Sequence, residues 1–283
     1  MKKVTVKAYA KINLTLDVKG LKNNFHPIRS IVSSVGIFDK ITLVKRKDKK
    51  IKLITSGINP GCSKTQNNAY KTAELFVKTF STNGVNIYLK KQIPVGAGLG
   101  GSSADVAGVL IGMKKLFGLD VDLEPLANLL GSDCNYMLRG GYAYLSGRGE
   151  KVRSLLIRKR FPVVIITASE AVSSKNCYKA FDERGKVSKE CSGVALNFLE
   201  NEDYAGFFAV MKNDLYKPAL TFCPSMKDNL TALKESGASV AIMTGSGSAV
   251  YGIYKNGFAQ GRAYKKLKKK QVGSGIIKTK TKI

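Results

Sequence analysis

The sequence predicts a two-domain α+β protein, and three observations lead to that prediction. The chain has 283 residues, and a typical size of about 100–200 residues per domain favours two domains. Segments with alternating apolar residues, which are typical of strands, follow segments with apolar residues at helical spacing. Strands and helices begin again at "RFPVVIITAS", which places a domain boundary near residues 150–160.

The elements of the first domain follow from these periodicities. Four segments alternate as strands do, and they read "KVTVKAYAKINLTLDVKG", "DKITLVKR", "KIKLITSG" and "GVNIYLKKQIPV", whereas "QNNAYKTAELFVKTFS" has helical spacing. A second helix is expected to begin at Ser102 or Ser103, whose hydroxyls can cap it, with Asp105 in its first turn. A third helix starts in residues 122–130, with Pro125 near its first turn, and residues 131–152 are read as a loop followed by a strand.

Composition argues against several classes of function. The five cysteines include no Cys-x-x-Cys pair that would suggest zinc or redox chemistry, and they are expected to be reduced and mostly buried. His26 is the single histidine, which argues against a His-based triad or a multi-histidine metal site. No apolar run approaches the roughly 18–20 residues that a bilayer requires, and the first residues lack the pattern of a signal peptide. The chain is therefore expected to be soluble and cytoplasmic.

The formal net charge of +27 is compatible with nucleic acid, an anionic membrane surface or small anionic substrates as partners. Lysines concentrate in residues 45–52 and in residues 262–283. We favour a solvated face and a loose tail, because neither run has the interleaved aromatic residues that stack on bases. RNA binding is the alternative.

The most informative stretch is "PVGAGLGGSSADVAGVL", residues 94–110, which lies between a predicted strand and a predicted helix. A glycine-rich loop that enters a helix directs several backbone N–H groups at one place, where a phosphate can bind; a tight structural turn is the alternative. The Walker A pattern fails because Ser102 stands where a lysine is needed. The dinucleotide pattern is matched by Gly96, Gly98 and Gly101, but no second strand follows to bring Asp120 to a ribose.

The pattern that fits throughout is P-x-x-x-G-L-[GA]-[SG]-S-[SA], which begins at Pro94 and ends at Ser103, and the stretch from Pro94 to Ala104 resembles the phosphate loop of the GHMP small-molecule kinases. "AKINLTLDV" near the start and "TGSGSAVYG" (244–252) near the end resemble two further motifs of these kinases. Within the superfamily the chain resembles the family of 4-diphosphocytidyl-2-C-methyl-D-erythritol kinases. The segments that carry this closer resemblance are "FHPIRSIVSSVGIFDKI", "NNAYKTAELF", "GSDCNYML" and "SSKNCYKAFD", and it extends from residue 4 to about 256.

The resemblance implies the GHMP kinase architecture, with a ribosomal-S5-domain-2-like N-terminal domain (1–155) that carries the phosphate loop. A ferredoxin-like C-terminal domain (156–262) and a basic tail (263–283) would follow. The implied activity is ATP-dependent phosphorylation, with Mg²⁺, of the 2-hydroxyl of 4-diphosphocytidyl-2-C-methylerythritol in the non-mevalonate isoprenoid pathway. The expected partner is this small molecule rather than nucleic acid or a membrane, and the oligomeric state is left open.

The resemblance also implies the roles of individual residues. Asp133 would accept the proton of the hydroxyl group and Lys11 would be its cationic partner, while no protein residue is assigned to a metal. The expected ATP-binding residues are Pro94, Val95, Gly96, Ala97, Gly98, Leu99, Gly100, Gly101, Ser102, Ser103, Ala104 and, less directly, Asn67. The expected substrate-binding residues are Asn13, Phe25, which would stack on the cytosine, His26, Gly245, Ser246 and Gly247.

The sequence departs from the family's pattern mainly at the substrate end. Asn24-Phe25-His26 stands where the family has Gly-Tyr-His, and Cys134-Asn135 where it has Val-Pro. The phosphate loop reads Gly-Gly-Ser-Ser-Ala in place of Gly-Gly-Gly-Ser-Ser. Two alternatives stay open: another GHMP kinase, of the homoserine or mevalonate type, or a basic RNA-binding protein with an S5-like fold.

Overall fold

The structure, a computed structural model, describes residues 2–185 and 187–283. The chain forms two compact units, which consist of Met1–Ala10, Ile37–Val95 and Gly100–Gly140 in the first and Lys11–Gly36, Gly96–Leu99 and Gly141–Ile283 in the second. These units are not contiguous along the chain, because strands β1 (Lys3–Asn13) and β3 (Ile28–Lys45) contribute residues to both. In the described part of the chain, no helix has the length and apolar character that a membrane crossing needs.

In its described residues, the first unit combines strands and four helices. Besides its parts of β1 and β3, it contains β4 (Lys52–Gly57), β5 (Val85–Lys91), α1 (Asn68–Phe80), α2 (Gly101–Phe117), α3 (Glu124–Leu130) and α4 (Cys134–Arg139). β3 pairs with β5 in antiparallel fashion, and β5 pairs with β4 in parallel. α2 packs against α1 and against α4. Helices α1 and α2 bury apolar residues, among them Ala69, Phe76, Val106, Val109, Leu110, Met113 and Leu116.

Among the residues that the structure describes, the second unit contains two groups of strands and six helices. The elements not yet named are β2 (Asp17–Val18), β6 (Tyr142–Ser146), β7 (Lys151–Leu155), β8 (Pro162–Thr167), β9 (Val240–Met243), β10 (Val250–Ile253), β11 (Gly275–Lys280), α5 (Ser174–Glu183), α6 (Ser192–Glu200), α7 (Tyr204–Val210), α8 (Tyr216–Ala219), α9 (Met226–Glu235) and α10 (Gly257–Lys269). The last four strands form an antiparallel sheet in the order β11-β8-β10-β9. Every residue of β8 is buried, and its run of β-branched residues suits such a position.

Several predicted elements are confirmed, and two need correction. The strands on either side of the second glycine cluster are β9 and β10, and the predicted helix with Pro125 at its start is α3. The expectation of a plain loop ahead of Tyr142 is wrong, since the short helix α4 lies there. α2 starts one residue before Ser102, and its N-cap is Gly100 in the left-handed conformation with no side-chain cap. The hydroxyls of Ser102 and Ser103 therefore do not cap α2 as expected.

The C-terminal segment is folded, which corrects the expectation of a loose, solvated tail. β11 pairs with β8 over six residues, from Gly275 opposite Thr167 to Lys280 opposite Pro162. α10 turns Leu267 into the core of the unit, while Lys265 and Lys269 stay exposed. The lysines of α10 lie on the solvent-exposed face of an amphipathic helix, so the charge of this segment does not reveal that the opposite face is apolar and buried.

The packing of α10 predicts that substitutions on its buried face and on its exposed face affect the stability of the protein differently. Leu267→Ala should lower the free energy of unfolding by about 2–4 kcal/mol, because it leaves a cavity beneath the helix. Lys265→Gln/Lys269→Gln, which removes two exposed charges from the same helix, should change it by less than about 0.5 kcal/mol. Urea titration followed by circular dichroism measures both. Equal stability of the two variants would contradict the packing of α10.

Candidate active site

Residues Gly96–Leu99 of the glycine-rich loop belong to the second unit and are held by backbone hydrogen bonds. The N–H of Lys11 donates to the Leu99 carbonyl at 3.0 Å, and the N–H of Ala249 donates to the Ala97 carbonyl at 3.2 Å. The structure thus brings Lys11, at the end of β1, next to the loop that the sequence identifies as the phosphate loop.

The second glycine loop is the segment that approaches the first. Gly98 has a φ of +72°, and a Cβ atom on it would lie 2.3 Å from the carbonyl oxygen of Thr244. On the other side, a Cβ on Gly245 would lie 2.8 Å from the carbonyl oxygen of Gly98. These glycines are therefore required by contacts within the protein. The expected substrate contacts of Gly245, Ser246 and Gly247 stay a prediction.

The loop ends in the first unit at the N-terminus of α2. The N–H groups of Gly101, Ser102 and Ser103 belong to the first turn, where a helix offers no carbonyl partner, so they are suited to bind an anion. The Ser102 hydroxyl is exposed and accepts a hydrogen bond from the Asn68 side chain at 2.6 Å. A Cβ on Gly101 would point inward, 3.0 Å from Ile93 Cγ2, so a side chain there would disturb packing rather than fill a phosphate site.

Asn13 links Lys11 to the second glycine loop. Its Oδ1 accepts hydrogen bonds from Lys11 Nζ at 2.6 Å and from the N–H of Gly245 at 3.0 Å. Its Nδ2 donates to the Ser30 hydroxyl at 2.8 Å, and its N–H donates to the Thr244 hydroxyl at 3.0 Å. With 4% of its surface exposed, Asn13 fixes the position of Lys11 through protein contacts, and its expected contact with substrate stays a prediction.

Asp133, the expected proton acceptor, is the N-cap residue of α4 in the first unit. Its backbone carbonyl accepts the N–H of Met137 at 3.0 Å, but its side chain does not cap the helix. The side chain is half-buried. The carboxylate of Asp133 therefore lies at the N-terminus of α4 without capping the helix.

Phe25 and His26 follow a tight hairpin turn in the second unit. Asn23 and Asn24 adopt positive φ angles of 49° and 62°, and the backbones of Lys22 and Phe25 exchange two hydrogen bonds. Asparagine tolerates this conformation better than other non-glycine residues, which explains how Asn24 stands where the family has glycine. The guanidinium group of Arg148 lies over the Phe25 ring, 5.6 Å from its centroid.

His26 is held on both ring nitrogens. Because a carbonyl oxygen can only accept, Nδ1 donates its hydrogen bond to the carbonyl of Lys19, at 2.8 Å. Nε2 lies 3.0 Å from a carboxylate oxygen of Asp182, and the ring stacks on Tyr178 with centroids 5.4 Å apart. Tyr178 and Asp182 are the tyrosine and aspartate of the motif "SSKNCYKAFD", which the sequence pointed to without assigning them contacts.

Asn67 has a local structural role. It is the N-cap of α1, and its side chain accepts the N–H of Ala69 at 2.9 Å. Its neighbour Asn68, which sequence reasoning missed, is the residue that contacts Ser102. The signal in the sequence was the pair of adjacent asparagines, but which of the two side chains caps α1 depends on the residue at which the helix begins. The expected ATP contact of Asn67 stays a prediction.

Comparison with known proteins identifies the family. The model of the GHMP kinases N terminal domain matches residues 67–143, and that of the GHMP kinases C terminal domain matches residues 195–273. A 4-diphosphocytidyl-2-C-methyl-D-erythritol kinase of Desulfitobacterium hafniense is 34% identical over 257 residues, which cover 87% of this chain and 85% of that one. The enzyme of the same name from Clostridium botulinum is 33% identical and covers 97% of this chain and 99% of its own. The chain belongs to the 4-diphosphocytidyl-2-C-methyl-D-erythritol kinase family.

A solved structure supports the same fold. The crystal structure of a 4-(cytidine 5'-diphospho)-2C-methyl-D-erythritol kinase has a TM-score of 0.83 and 27% sequence identity, and the match covers 98% of this chain and 99% of that one. The GHMP kinase fold and the ATP-dependent kinase activity predicted from the sequence are thus confirmed. The expectation that the resemblance ends near residue 256 is wrong, because the C-terminal family model extends to residue 273.

Sequence reasoning also missed a buried ion cluster at the base of the loop. Lys91 Nζ donates to Asp39 Oδ2 at 2.5 Å and to Asp105 Oδ2 at 2.6 Å. Asp105 was expected to favour the α2 dipole from the first turn, but it lies one residue beyond and is buried. Burial raises the pKa of Asp105 to about 7, an effect that Lys91 opposes and Asp39 reinforces. The lysine immediately before "QIPVG" was the signal available in the sequence.

The raised pKa predicts how stability depends on pH. The folded protein holds a proton on Asp105 that the unfolded chain releases near pH 4, so the associated stabilisation is complete below pH 4 and lost as pH rises through about 7. Between pH 5 and pH 8 the free energy of unfolding should therefore fall more for the wild type than for Asp105→Asn. Urea titrations at both pH values test this, with Asp120→Asn as a control because Asp120 is fully exposed. Parallel pH dependence of all three proteins would contradict the assignment.

Proposed function

We propose that this protein transfers the γ-phosphoryl group of ATP to the 2-hydroxyl of 4-diphosphocytidyl-2-C-methyl-D-erythritol, in the cytoplasm, as a step of non-mevalonate isoprenoid synthesis. The observation that carries the proposal is the placement of Lys11, whose N–H bonds to the Leu99 carbonyl and whose ammonium group is held by Asn13. A fixed cation beside a glycine-rich loop suits the charge that develops during phosphoryl transfer. The names of the relatives supply the acceptor.

ATP is proposed to bind with its phosphates on the glycine-rich loop. The first-turn N–H groups of α2 supply donors, and the positive end of the helix dipole adds potential there. Ser102 adds an exposed hydroxyl group. The residues assigned to the nucleotide are those of the loop from Pro94 to Ala104 and, less directly, Asn67.

Mg²⁺ is proposed to accompany ATP. It prefers oxygen ligands and is usually held by one or two carboxylates together with substrate phosphates. An oxygen donor is present in the first unit as the exposed hydroxyl group of Ser102, at the start of α2. Among the described residues, no group of three His, Cys, Asp or Glu side chains could hold a metal ion. The donor set therefore fits an ion that is bound mainly through the nucleotide, where it would neutralise phosphate charge.

The chemical step needs a proton acceptor and a cation. We assign the carboxylate of Asp133 to accept the proton of the 2-hydroxyl while the oxygen attacks the γ-phosphorus and ADP leaves. Lys11 stabilises the negative charge on the transferred group. Asn13 keeps the Lys11 ammonium in place, since its Oδ1 is itself fixed by the Gly245 N–H.

The acceptor is proposed to bind with its cytosine on Phe25. Stacking uses the ring face, so it does not need the phenol that the family has at this position. His26, fixed by Lys19 and Asp182, lies next to the stacking residue. Asn13 and the second glycine loop, Gly245, Ser246 and Gly247, complete the proposed substrate site. A small molecule, and no nucleic acid or membrane, is the proposed partner.

The proposed function predicts a specific acceptor. In an assay coupled to ADP release, 4-diphosphocytidyl-2-C-methylerythritol should be phosphorylated with a kcat/KM at least about 100-fold above those for homoserine and mevalonate, which lack the cytidyl group. Product analysis should place the new phosphate on the 2-hydroxyl. Turnover of homoserine or mevalonate at a comparable rate would replace the proposed acceptor with another of this superfamily.

The catalytic assignment predicts the behaviour of Asp133→Asn. Loss of the proton acceptor should lower kcat by about 10²–10⁴-fold, while the Kd for ATP, measured by calorimetry, changes little. Asp122→Asn is a suitable control, because Asp122 is an exposed aspartate in the same unit whose contact is the N–H of Glu124. Wild-type kcat in Asp133→Asn would remove this residue from the mechanism.

A further inference from the structure

The buried cluster formed by Asp39, Lys91 and Asp105, called the ion triad below, joins three segments of the first unit. Asp39 lies on β3, Lys91 is the last residue of β5, and Asp105 lies near the start of α2. All three side chains are at least nine-tenths buried. The lysine ammonium bridges the two carboxylates at 2.5 and 2.6 Å.

The triad holds both ends of the glycine-rich loop. At the start of the loop, Asp39 Oδ1 accepts the backbone N–H groups of Gln92 and Ile93, at 2.5 and 2.9 Å. At its end, the Lys91 ion pair with Asp105 fixes α2 one residue after the proposed nucleotide segment. Both ends of the loop are therefore attached to the same charged cluster.

Stability alone is a poor explanation for such a cluster. Two carboxylates and one ammonium lose their hydration on burial, and well-packed apolar residues would hold the segments at least as stably. None of the residues that the structure describes donates a hydrogen bond to Asp105 Oδ1, so Lys91 is the partner that holds this carboxylate. Apolar residues could not fix the orientation of the backbone at the two ends of the loop. The ion pair and the two hydrogen bonds from backbone N–H groups to Asp39 do so, because each needs a particular geometry.

We propose that the ion triad is a positioning element for nucleotide binding, which holds the loop in its binding conformation before ATP arrives. It does so by clamping Gln92 and Ile93 on one side and the first turns of α2 on the other. Without the clamp, binding would have to order the loop, and the entropy lost would weaken the affinity for ATP. The inference rests on the proposed binding of ATP phosphates to this loop.

Two variants test the clamp. At pH 8, where Asp105 is ionised, Lys91→Met/Asp105→Asn removes the pair but keeps the net buried charge of the triad. Asp39→Asn turns an amide N–H₂ toward Lys91 or toward the two backbone donors. Each should weaken binding of the ATP analogue AMP-PNP, with Mg²⁺, by about tenfold or more in calorimetry. The KM for ATP should rise to the same extent, while kcat at saturating ATP and the KM for the acceptor stay within about twofold of wild type.

A matched control separates positioning from a structural role. Asp17 is an equally buried aspartate of the second unit, which accepts the N–H groups of Cys191 and Ser192 and pairs with Lys212 at 3.2 Å. Asp17→Asn should lower the unfolding midpoint and leave the Kd for AMP-PNP unchanged. If the triad variants behave in the same way as Asp17→Asn, the triad is structural only and the inference is wrong.

Hydrogen exchange distinguishes failure of this inference from failure of the proposed function. In the wild type, AMP-PNP should slow exchange of the backbone amides of residues 96–104. If AMP-PNP slows exchange at none of these amides, ATP does not bind the loop, and both the proposed nucleotide site and the inference are wrong. If it slows them in the wild type while Asp39→Asn, as the milder variant, binds AMP-PNP with wild-type affinity and folds normally, only the inference falls.

Discussion

The two glycine loops of the second unit approach so closely that neither has room for a side chain at the contact. The carbonyl oxygen of Thr244 lies 2.3 Å from the place that a Cβ on Gly98 would occupy, and the reverse contact at Gly245 is 2.8 Å. Real Cβ atoms do not come this near to a carbonyl oxygen, and the positive φ of both residues favours glycine as well. The positions of Leu99, Lys11 and Asn13 all depend on this backbone contact.

A buried polar network extends from that contact into the second unit. Asn13 uses Oδ1, Nδ2 and its N–H to bind Lys11, Gly245, Ser30 and Thr244. Buried polar groups destabilise a protein when they lack partners, and a network with satisfied members is rigid. Asn13 therefore restricts the motion of the Lys11 ammonium by tying it to backbone. In the proposed mechanism, this restriction keeps the charge of Lys11 in position for phosphoryl transfer.

Two kinds of interaction determine the conformation of the glycine-rich loop. Backbone contacts shape its first half, around Gly98, while charged side chains hold its two ends through Asp39, Lys91 and Asp105. The proposed phosphate-binding groups at the start of α2 are backbone N–H groups, which carry no sequence signature of their own. Glycines in the motif therefore report the protein's own packing as well as a proposed phosphate site, and a Cβ on Gly101 would contact the Ile93 side chain.

The sequence by itself determined the family, the kinase activity, helices α1, α2 and α3, several strands, and the motifs that contain Lys11, Asp133 and the loop. Those features can be recognised from the sequence because each motif or periodic pattern lies within a short stretch of the chain. Only the tertiary structure decided that the lysine-rich C-terminus is α10 and β11, since the partner of β11 is β8, more than 100 residues earlier. It also decided that Asn67 caps α1 while Asn68 reaches Ser102, and that Asp105 pairs with Lys91 instead of acting on the helix dipole. Each of these depends on which distant side chain or strand lies opposite, and such pairings are set by packing in three dimensions rather than by spacing along the chain.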